Sequence, residues 1–202
     1  MMYIIVVIIG YLLGMLSPAA LLSRLKKKDL RKNGSGNLGA TNTMLVLGKG
    51  YGVLVMLLDV GKAFLAVRLS MYLFPELRYA GIVAGFSAVV GHIYPFYMKF
   101  RGGKGLAAYG GMVLALKPWM FPVMLALCVA IMVITNQGVA MAVSACVLYP
   151  ILYVVCTGDL GALLLLAALS VLIIINHRSN LEEAAQKKQI KVREYVKEHL
   201  LR

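Results

Sequence analysis

The sequence predicts an all-α integral membrane protein, a polytopic helix bundle with about seven transmembrane segments. Of its 202 residues, 61% are hydrophobic and 14% are charged, and the mean hydropathy is +0.83. Such a chain is too apolar to cover a soluble domain with polar surface. Its apolar residues also form runs, most of them long enough to cross a hydrocarbon core of about 30 Å as helices. Residues 1–202 are therefore expected to form a single membrane domain.

Each apolar run is expected to be a helix, because lipid cannot solvate unpaired backbone amides. The seven runs cover residues 3–23, 51–73, 79–97, 105–117, 119–135, 138–156 and 160–176. The fourth run is short, since its length corresponds to a rise of only about 20 Å. It is expected either to cross fully or to enter the bilayer and turn back, and both forms return the chain to the same side after residue 135.

The basic residues are distributed asymmetrically over the predicted connections. Most of the 21 lysines and arginines fall in the loop 24–49, in residues 99–104 and in the tail 177–202. By the positive-inside rule these segments face the cytoplasm, which places the N-terminus outside and makes 177–202 a cytoplasmic basic tail. The net charge of +13 then reflects topology and contact with anionic lipid or a phosphorylated substrate. Nucleic acid is not expected as a partner.

The first polar stretch, residues 33–42, interrupts the hydrophobic pattern on the predicted cytoplasmic side. Its glycines allow positive φ and can direct successive amides at an anion, while hydroxyls and carboxamides add side-chain donors. This pattern suits a phosphate or a carboxylate, although a polar loop with turn glycines is the plainer alternative. The candidate binding residues are Gly34, Ser35, Gly36, Asn37, Gly39, Thr41 and Asn42.

The second polar stretch, residues 91–105, places Lys104 among Gly102, Gly103 and Gly105 at the head of the short fourth run. Amides, helix dipole and ammonium group would all favour bound negative charge there. The spacing is not that of a Walker loop. His92 at the end of the third run is a candidate proton carrier or, as the commoner case, a histidine packed in a helix end.

A third polar cluster, Asn176 to Asn180, follows the last apolar run and contains His177. An interfacial cap would explain it equally well. All three clusters fall on the same predicted face, so we expect a shared pocket.

Two further groups of residues are interpreted as structural and not as functional. Asp59 and Lys62 are one helical turn apart, which favours a structural ion pair, and the three cysteines have no metal-site or redox spacing.

Together these motifs resemble those of the bacterial membrane acyl-phosphate:glycerol-3-phosphate acyltransferases (PlsY). The resemblance rests on the Gly-Ser-Gly-Asn and Gly-Ala-Thr-Asn motifs of 34–42, Gly-His-x-x-Pro at 91–95, Phe-x-Gly-Gly-Lys-Gly at 100–105 and His-Arg-x-Asn at 177–180. It implies acyl transfer from acyl phosphate to the 1-hydroxyl of glycerol 3-phosphate in the bacterial inner membrane, at a site facing the cytoplasm. It implies no cofactor, metal or CoA thioester, and the oligomeric state stays open.

The resemblance also implies roles for particular residues. Ser35, Lys104, His177 and Asn180 would be catalytic. The residues that would bind substrate are Gly34, Gly36, Asn37, Gly39, Thr41, Asn42, His92, Gly102, Gly103 and Gly105. Leu45 stands where the family usually has an arginine, Asn136, Gln137, Ala140 and Val143 replace polar or basic residues, and Asn176 replaces a basic one. Two alternatives follow: a weakened relative that only binds an acyl phosphate or lipid head group, and a small transporter, which would normally place polar sites near the midplane.

Overall fold

The computed structural model describes residues 1–188 and 191–194, and among these it contains helices and no strand. The predicted all-α class is confirmed. The chain divides into two compact units, Met1–Lys117 and Pro118–Arg202. The first contains α1 (Met2–Gly14), α2 (Pro18–Leu25), α3 (Ala40–Leu47), α4 (Lys49–Leu73), α5 (Ala80–Ile93), a 3-10 turn (Phe96–Met98) and α6 (Leu106–Leu116), and the second contains α7 (Met120–Thr135), α8 (Val139–Thr157), α9 (Leu160–Asn176) and α10 (Arg178–Ala185).

The first apolar run is divided into α1 and α2, whereas the sequence predicts one uninterrupted helix. Pro18 is the first residue of α2 and has no backbone N–H to give to the preceding turn. The Ser17 side chain accepts the N–H of Ala20 at 3.3 Å and so caps the new helix. The helical ladder is therefore interrupted at residues 15–17.

Helices α1 and α5 approach closely because small residues face each other. A methyl group on Gly10 would overlap the carbonyl of Ala84, and one on Gly14 would overlap the carbonyl of Ala88. Backbones at this distance gain van der Waals contact along the pair, as small-xxx-small interfaces do in membranes. Helix α4 packs against α1, α5 and α6, and it also contacts α2 and α3.

Helix α3 lies inside the segment 24–49, which the sequence analysis treats as a loop. Its eight residues are too few to cross a bilayer. Asn42 and Thr43 on this helix are buried, as are Leu30 and Leu38 before it. The segment is thus folded, and it shares a small core with Ala19 of α2 and Val55 of α4.

The described residues of the second unit contain α7 to α10, with α8 packed against both α7 and α9. Helix α8 contains Pro150 in its interior. Helices α9 and α10 meet at His177 with a bend of 57°. The predicted basic tail 177–202 is described as far as residue 188 and again over 191–194, and its remaining residues lie outside the described part.

In the part of the chain that the structure describes, three helical stretches are long and apolar enough to cross a membrane by length and composition: Met2–Leu25, Ala80–Met98 and Val139–Thr157. The bent pair α9 and α10 would make a fourth. Helix α4 is longer, with 25 residues, but contains Asp59, Lys62 and Arg68. Helix α6, with 11 residues, has the short length expected for the fourth run. The count of seven crossings, the orientation and the single domain stay predictions.

Candidate functional site

The first polar stretch is organised by the buried side chain of Asn42, which is 1% exposed. Its Oδ1 accepts the N–H of Ser35 at 2.7 Å. Its Nδ2 donates to the carbonyls of Leu30, Asn33 and Asn37 at 2.8, 3.2 and 3.0 Å. The amide thus holds the stretch from inside, while the side chains of Ser35 and Thr41 are exposed at its surface.

Two glycines make this tight path possible. Gly34 and Gly36 have φ of +62° and +70°, in the left-handed region that L side chains rarely adopt. A methyl group on Gly34 would also overlap Oδ1 of Asn42. The stretch therefore closes around Asn42 only with glycine at this position.

The second polar stretch is bound to the carboxyl end of α5. The N–H of Gly102 donates to the carbonyl of Ile93 at 2.8 Å, and the N–H of Gly103 donates to the carbonyl of His92 at 3.1 Å. Gly103 is buried, and a methyl group there would overlap Nε2 of His92. Lys104 follows directly and is half-buried. The backbone that presents Lys104 is therefore fixed by contact with α5.

The two stretches meet at one pocket. A methyl group on Gly103 would lie 2.8 Å from the carbonyl oxygen of Leu38. Nη2 of Arg31 donates to the carbonyl of Arg101 at 2.5 Å. A cavity of about 260 Å³ lies here, lined by Arg31, Gly36, Leu38, Arg101 and Gly102. The structure thus joins the first two predicted clusters.

The pocket is suited to an anion. Arg31 and Arg101 are both among its lining residues, and a guanidinium group is a donor only and matches phosphate or carboxylate geometry. Helices α3 and α6 begin just after its lining residues, with Gly39 and Gly105 as their N-caps. Helix N-termini have orphan N–H groups and partial positive charge, so both favour negative charge nearby. Within the described residues, no three His, Cys, Asp or Glu side chains are grouped as a metal site requires.

Arg31 and Arg101 were not among the predicted site residues. Both belong to the basic segments that are predicted to face the cytoplasm. A usable signal was present, since each arginine lies within three residues of a glycine-rich motif. An arginine beside each of two glycine-rich motifs indicates an anion pocket, which membrane orientation alone does not explain.

His92 is 7% exposed and its Nδ1 lies 2.8 Å from Nζ of Lys62. Its ring therefore contacts α4 on one side and Gly103 on the other. These contacts show how the ring is packed, and a direct role of His92 in substrate binding stays a prediction.

His177 and Asn180 belong to the second unit. His177 is 5% exposed, and its Nδ1 donates to the carbonyl of Ile173 at 2.9 Å. This hydrogen bond orients the ring at the bend between α9 and α10. Asn180 is half-buried on the first turn of α10. That both residues join the pocket of the first unit stays a prediction.

Two of the residues that depart from the family pattern make hydrogen bonds in the described part of the chain. Oδ1 of Asn136 accepts the N–H of Arg193 at 3.0 Å. Nδ2 of Asn176 donates to the carbonyl of Leu172 at 2.8 Å. Leu45 is half-buried on α3.

Known proteins resemble the chain over nearly its whole length. A family model described as glycerol-3-phosphate acyltransferase matches residues 4–187. A glycerol-3-phosphate acyltransferase of Pseudomonas paraeruginosa is 40% identical over 178 residues, which cover 87% of this chain and 92% of the relative. A glycerol-3-phosphate acyltransferase of Bacillus velezensis is 31% identical over 194 residues, covering 96% and 99%.

Solved structures show the same similarity. A crystal structure of PlsY, an integral membrane glycerol 3-phosphate acyltransferase, in its glycerol 3-phosphate form superposes with a TM-score of 0.90 at 30% identity and covers 99% of both chains. The lysophosphatidic acid form of PlsY gives a TM-score of 0.85, with 94% of both chains covered.

Proposed function

Because this chain belongs to the glycerol-3-phosphate acyltransferase family, we propose that it transfers a fatty acyl group from an acyl phosphate to the 1-hydroxyl of glycerol 3-phosphate. The product is lysophosphatidate, a precursor of membrane phospholipids. The pocket between the two glycine-rich stretches is the observation that carries this proposal, because it combines two arginines with two helix N-termini where a phosphate would have to bind.

An acyl phosphate is a mixed anhydride and already contains a good leaving group, so the reaction needs no protein nucleophile. The acceptor hydroxyl oxygen bonds to the acyl carbon, and the bond from that carbon to the phosphate oxygen breaks. The hydroxyl proton passes to the departing phosphate, which leaves as hydrogen phosphate. The protein's task is to align the two substrates and to stabilise the negative charge that develops.

The two stretches divide this task between them. Lys104 and the amides at the start of α6 would neutralise the donor phosphate and the oxyanion formed during attack. Ser35 is exposed at the surface of the first stretch, where its hydroxyl would orient a substrate oxygen. Arg31 and Arg101 would bind phosphate oxygens, and charge-assisted contacts of this kind contribute about 1.5–3 kcal/mol each. They supply positive charge to a chain that has Leu45 in place of the family's arginine.

The membrane location fits the substrates. The donor has a fatty chain, the acceptor is soluble, and the product must enter the lipid leaflet. The exposed faces of the helices are apolar, with Ile4, Ile8 and Leu57 among the exposed residues. The basic residues near the pocket favour the cytoplasmic side of the bacterial inner membrane by the positive-inside rule.

An assay of the purified protein with palmitoyl phosphate and glycerol 3-phosphate tests this function. We expect lysophosphatidate and inorganic phosphate in equal amounts, and a loss of activity of at least about a hundredfold in Lys104→Ala. Lys117→Ala is the matched control, since it removes the same charge at the other end of α6. Wild-type protein that binds palmitoyl phosphate and forms no lysophosphatidate would overturn the proposal in favour of a binding protein.

A further inference from the structure

A buried ionic cluster lies behind the second glycine-rich stretch, within the first unit. Nζ of Lys62 on α4 is 2.8 Å from Oδ1 of Asp59 and 2.8 Å from Nδ1 of His92. It also donates to the carbonyl of Leu16 at 2.6 Å. Asp59, Lys62 and His92, here called the Lys62 cluster, are 1%, 7% and 7% exposed. The sequence predicts an ion pair of Asp59 with Lys62, and the structure adds two more partners.

The ring of His92 is held by two charged groups of this cluster. Its Nδ1 lies 2.8 Å from Nζ of Lys62 and 3.2 Å from Oδ1 of Asp59. An ammonium group has three hydrogens and no lone pair, so Lys62 can direct one hydrogen at each of its three neighbours. Lys62 and Asp59 together thus fix the position of the His92 ring.

The third partner of Lys62 is a carbonyl that the break between α1 and α2 exposes. In a continuous helix the carbonyl of Leu16 would accept the N–H of Ala20, but that N–H donates to Oγ of Ser17. Two tyrosines strengthen the same junction, since the Tyr97 hydroxyl donates to the carbonyl of Met15 and the Tyr11 hydroxyl to that of Tyr94, each at 2.8 Å. The end of α5 is therefore anchored to the break in the first span.

His92 connects this anchor to the anion pocket. Its carbonyl accepts the N–H of Gly103, and its ring occupies the space beside the Gly103 α-carbon. Gly103 precedes Lys104 and follows Gly102, which lines the pocket. A rotation of the His92 ring would displace the backbone that presents Lys104.

We propose that Lys62 and His92 are positioning residues for acyl transfer, which hold Gly102–Lys104 in the geometry that receives the donor phosphate. This inference rests on the proposed function. A purely structural ion pair would require only that the charges of Asp59 and Lys62 balance. The Lys62 cluster does more, because its lysine orients a ring that contacts the phosphate-binding backbone.

Charge-compensated variants separate positioning from charge balance. Lys62→Met removes the lysine partner of the buried Asp59 and leaves it only Nδ1 of His92 at 3.2 Å, so it lowers both the melting temperature and the activity. The double variant Asp59→Asn with Lys62→Met removes both charges. It recovers most of the melting temperature, yet kcat/KM for palmitoyl phosphate stays about ten- to a hundredfold below wild type, the loss that misplacement by about 1 Å produces. Arg68→Met, an exposed charge removed from the same helix, is the control and keeps wild-type kinetics.

Hydrogen–deuterium exchange gives a readout that does not depend on activity. The amides of Gly102 and Gly103 donate to α5 carbonyls, so a peptide spanning residues 98–106 is protected in wild type. We expect faster exchange of this peptide in the double variant and unchanged exchange in Arg68→Met. If wild type is inactive, the proposed function fails, and this measurement still tests whether the cluster holds the loop.

His92→Asn is a second variant, in which the buried ion pair of Asp59 and Lys62 is retained. The asparagine oxygen can replace Nδ1 as the acceptor for Lys62, but the ring beside Gly103 is lost. We expect the activity and the loop protection to fall while the melting temperature changes little. An active wild type together with wild-type kinetics and exchange in either His92→Asn or the double variant would overturn the inference.

Discussion

The carboxamide of Asn42 determines the shape of the first glycine-rich stretch. One side chain bonds to three backbone carbonyls and one N–H. A buried carbonyl left without a donor costs about 1–3 kcal/mol. Asn42 therefore matters to the site through the backbone it holds, whether or not it also touches substrate.

Asn42→Ala is expected to lower the free energy of unfolding by about 2–4 kcal/mol and to raise KM for both substrates, because the lost donors release the backbone around Ser35. Asn33→Ala is the matched control, since Asn33 lies in the same stretch, is exposed and makes one side-chain bond, to the carbonyl of Asp29. Thermal unfolding in detergent and steady-state kinetics measure both effects. Equal effects of the two substitutions would contradict the role given to Asn42.

The residue types of a candidate anion site were predictable at this scale, and the partners of their hydrogen bonds were not. Glycines beside serine and lysine indicate amides directed at a phosphate. The sequence placed Asn42 among the ligands, because a carboxamide beside such glycines can bind an anion or the loop itself. Only the folded path of 30–42 shows that its hydrogen bonds go to the backbone.

Among the elements of the first unit, α1 and α5 form a closely packed pair. Their contact depends on Gly10 and Gly14, and the backbones approach so closely that an added methyl group has no room. Lys62, Tyr11 and Tyr97 also hold the end of α5 against the break that follows α1. Moving α1 away from α5 would therefore displace the loop that follows α5.

Gly14→Ala is expected to destabilise the protein by about 1–3 kcal/mol, because the methyl group would overlap the backbone of Ala88. Gly61→Ala is the matched control within α4, where an added methyl group meets nothing within 4 Å. Since alanine favours a helix over glycine by up to about 1 kcal/mol, this control should be neutral or stabilising. Melting temperatures that fall equally in both variants would argue against close packing of α1 on α5.

Element boundaries followed the sequence where apolar runs were long and differed where local chemistry intervened. The runs 119–135, 138–156 and 160–176 agree with α7, α8 and α9 within one residue. The break at Pro18 was missed, because a run of apolar residues on both sides obscures a proline that starts a new helix. The sequence did not predict helix α3, because a glycine N-cap and a polar first turn are also typical of a loop.

For the whole molecule, orientation follows from the distribution of charge. The segments flanking the pocket and the described part of the tail contain most of the basic residues, while the α4–α5 connection contains Glu76. Moving such positive clusters across the bilayer is unfavourable, so we propose that they face the cytoplasm.

Thiol labelling of cells checks this orientation. In a Cys156→Ser background, which leaves the buried Cys128 and Cys146, Glu76→Cys should react with an impermeant maleimide in cells with an intact inner membrane. Lys32→Cys should react only after that membrane is permeabilised. Reversed reactivity would place the pocket on the outer side and contradict the proposed access of cytoplasmic glycerol 3-phosphate.

The central claim is that the two glycine-rich stretches form one phosphate-binding pocket, and a double-mutant cycle tests it most directly. Ser35→Ala, Lys104→Gln and the double variant are compared by kcat/KM for palmitoyl phosphate. If both residues act on one bound substrate in one pocket, their effects are non-additive by about 0.5 kcal/mol or more. Effects that add within about 0.3 kcal/mol would show independent sites and contradict the shared pocket.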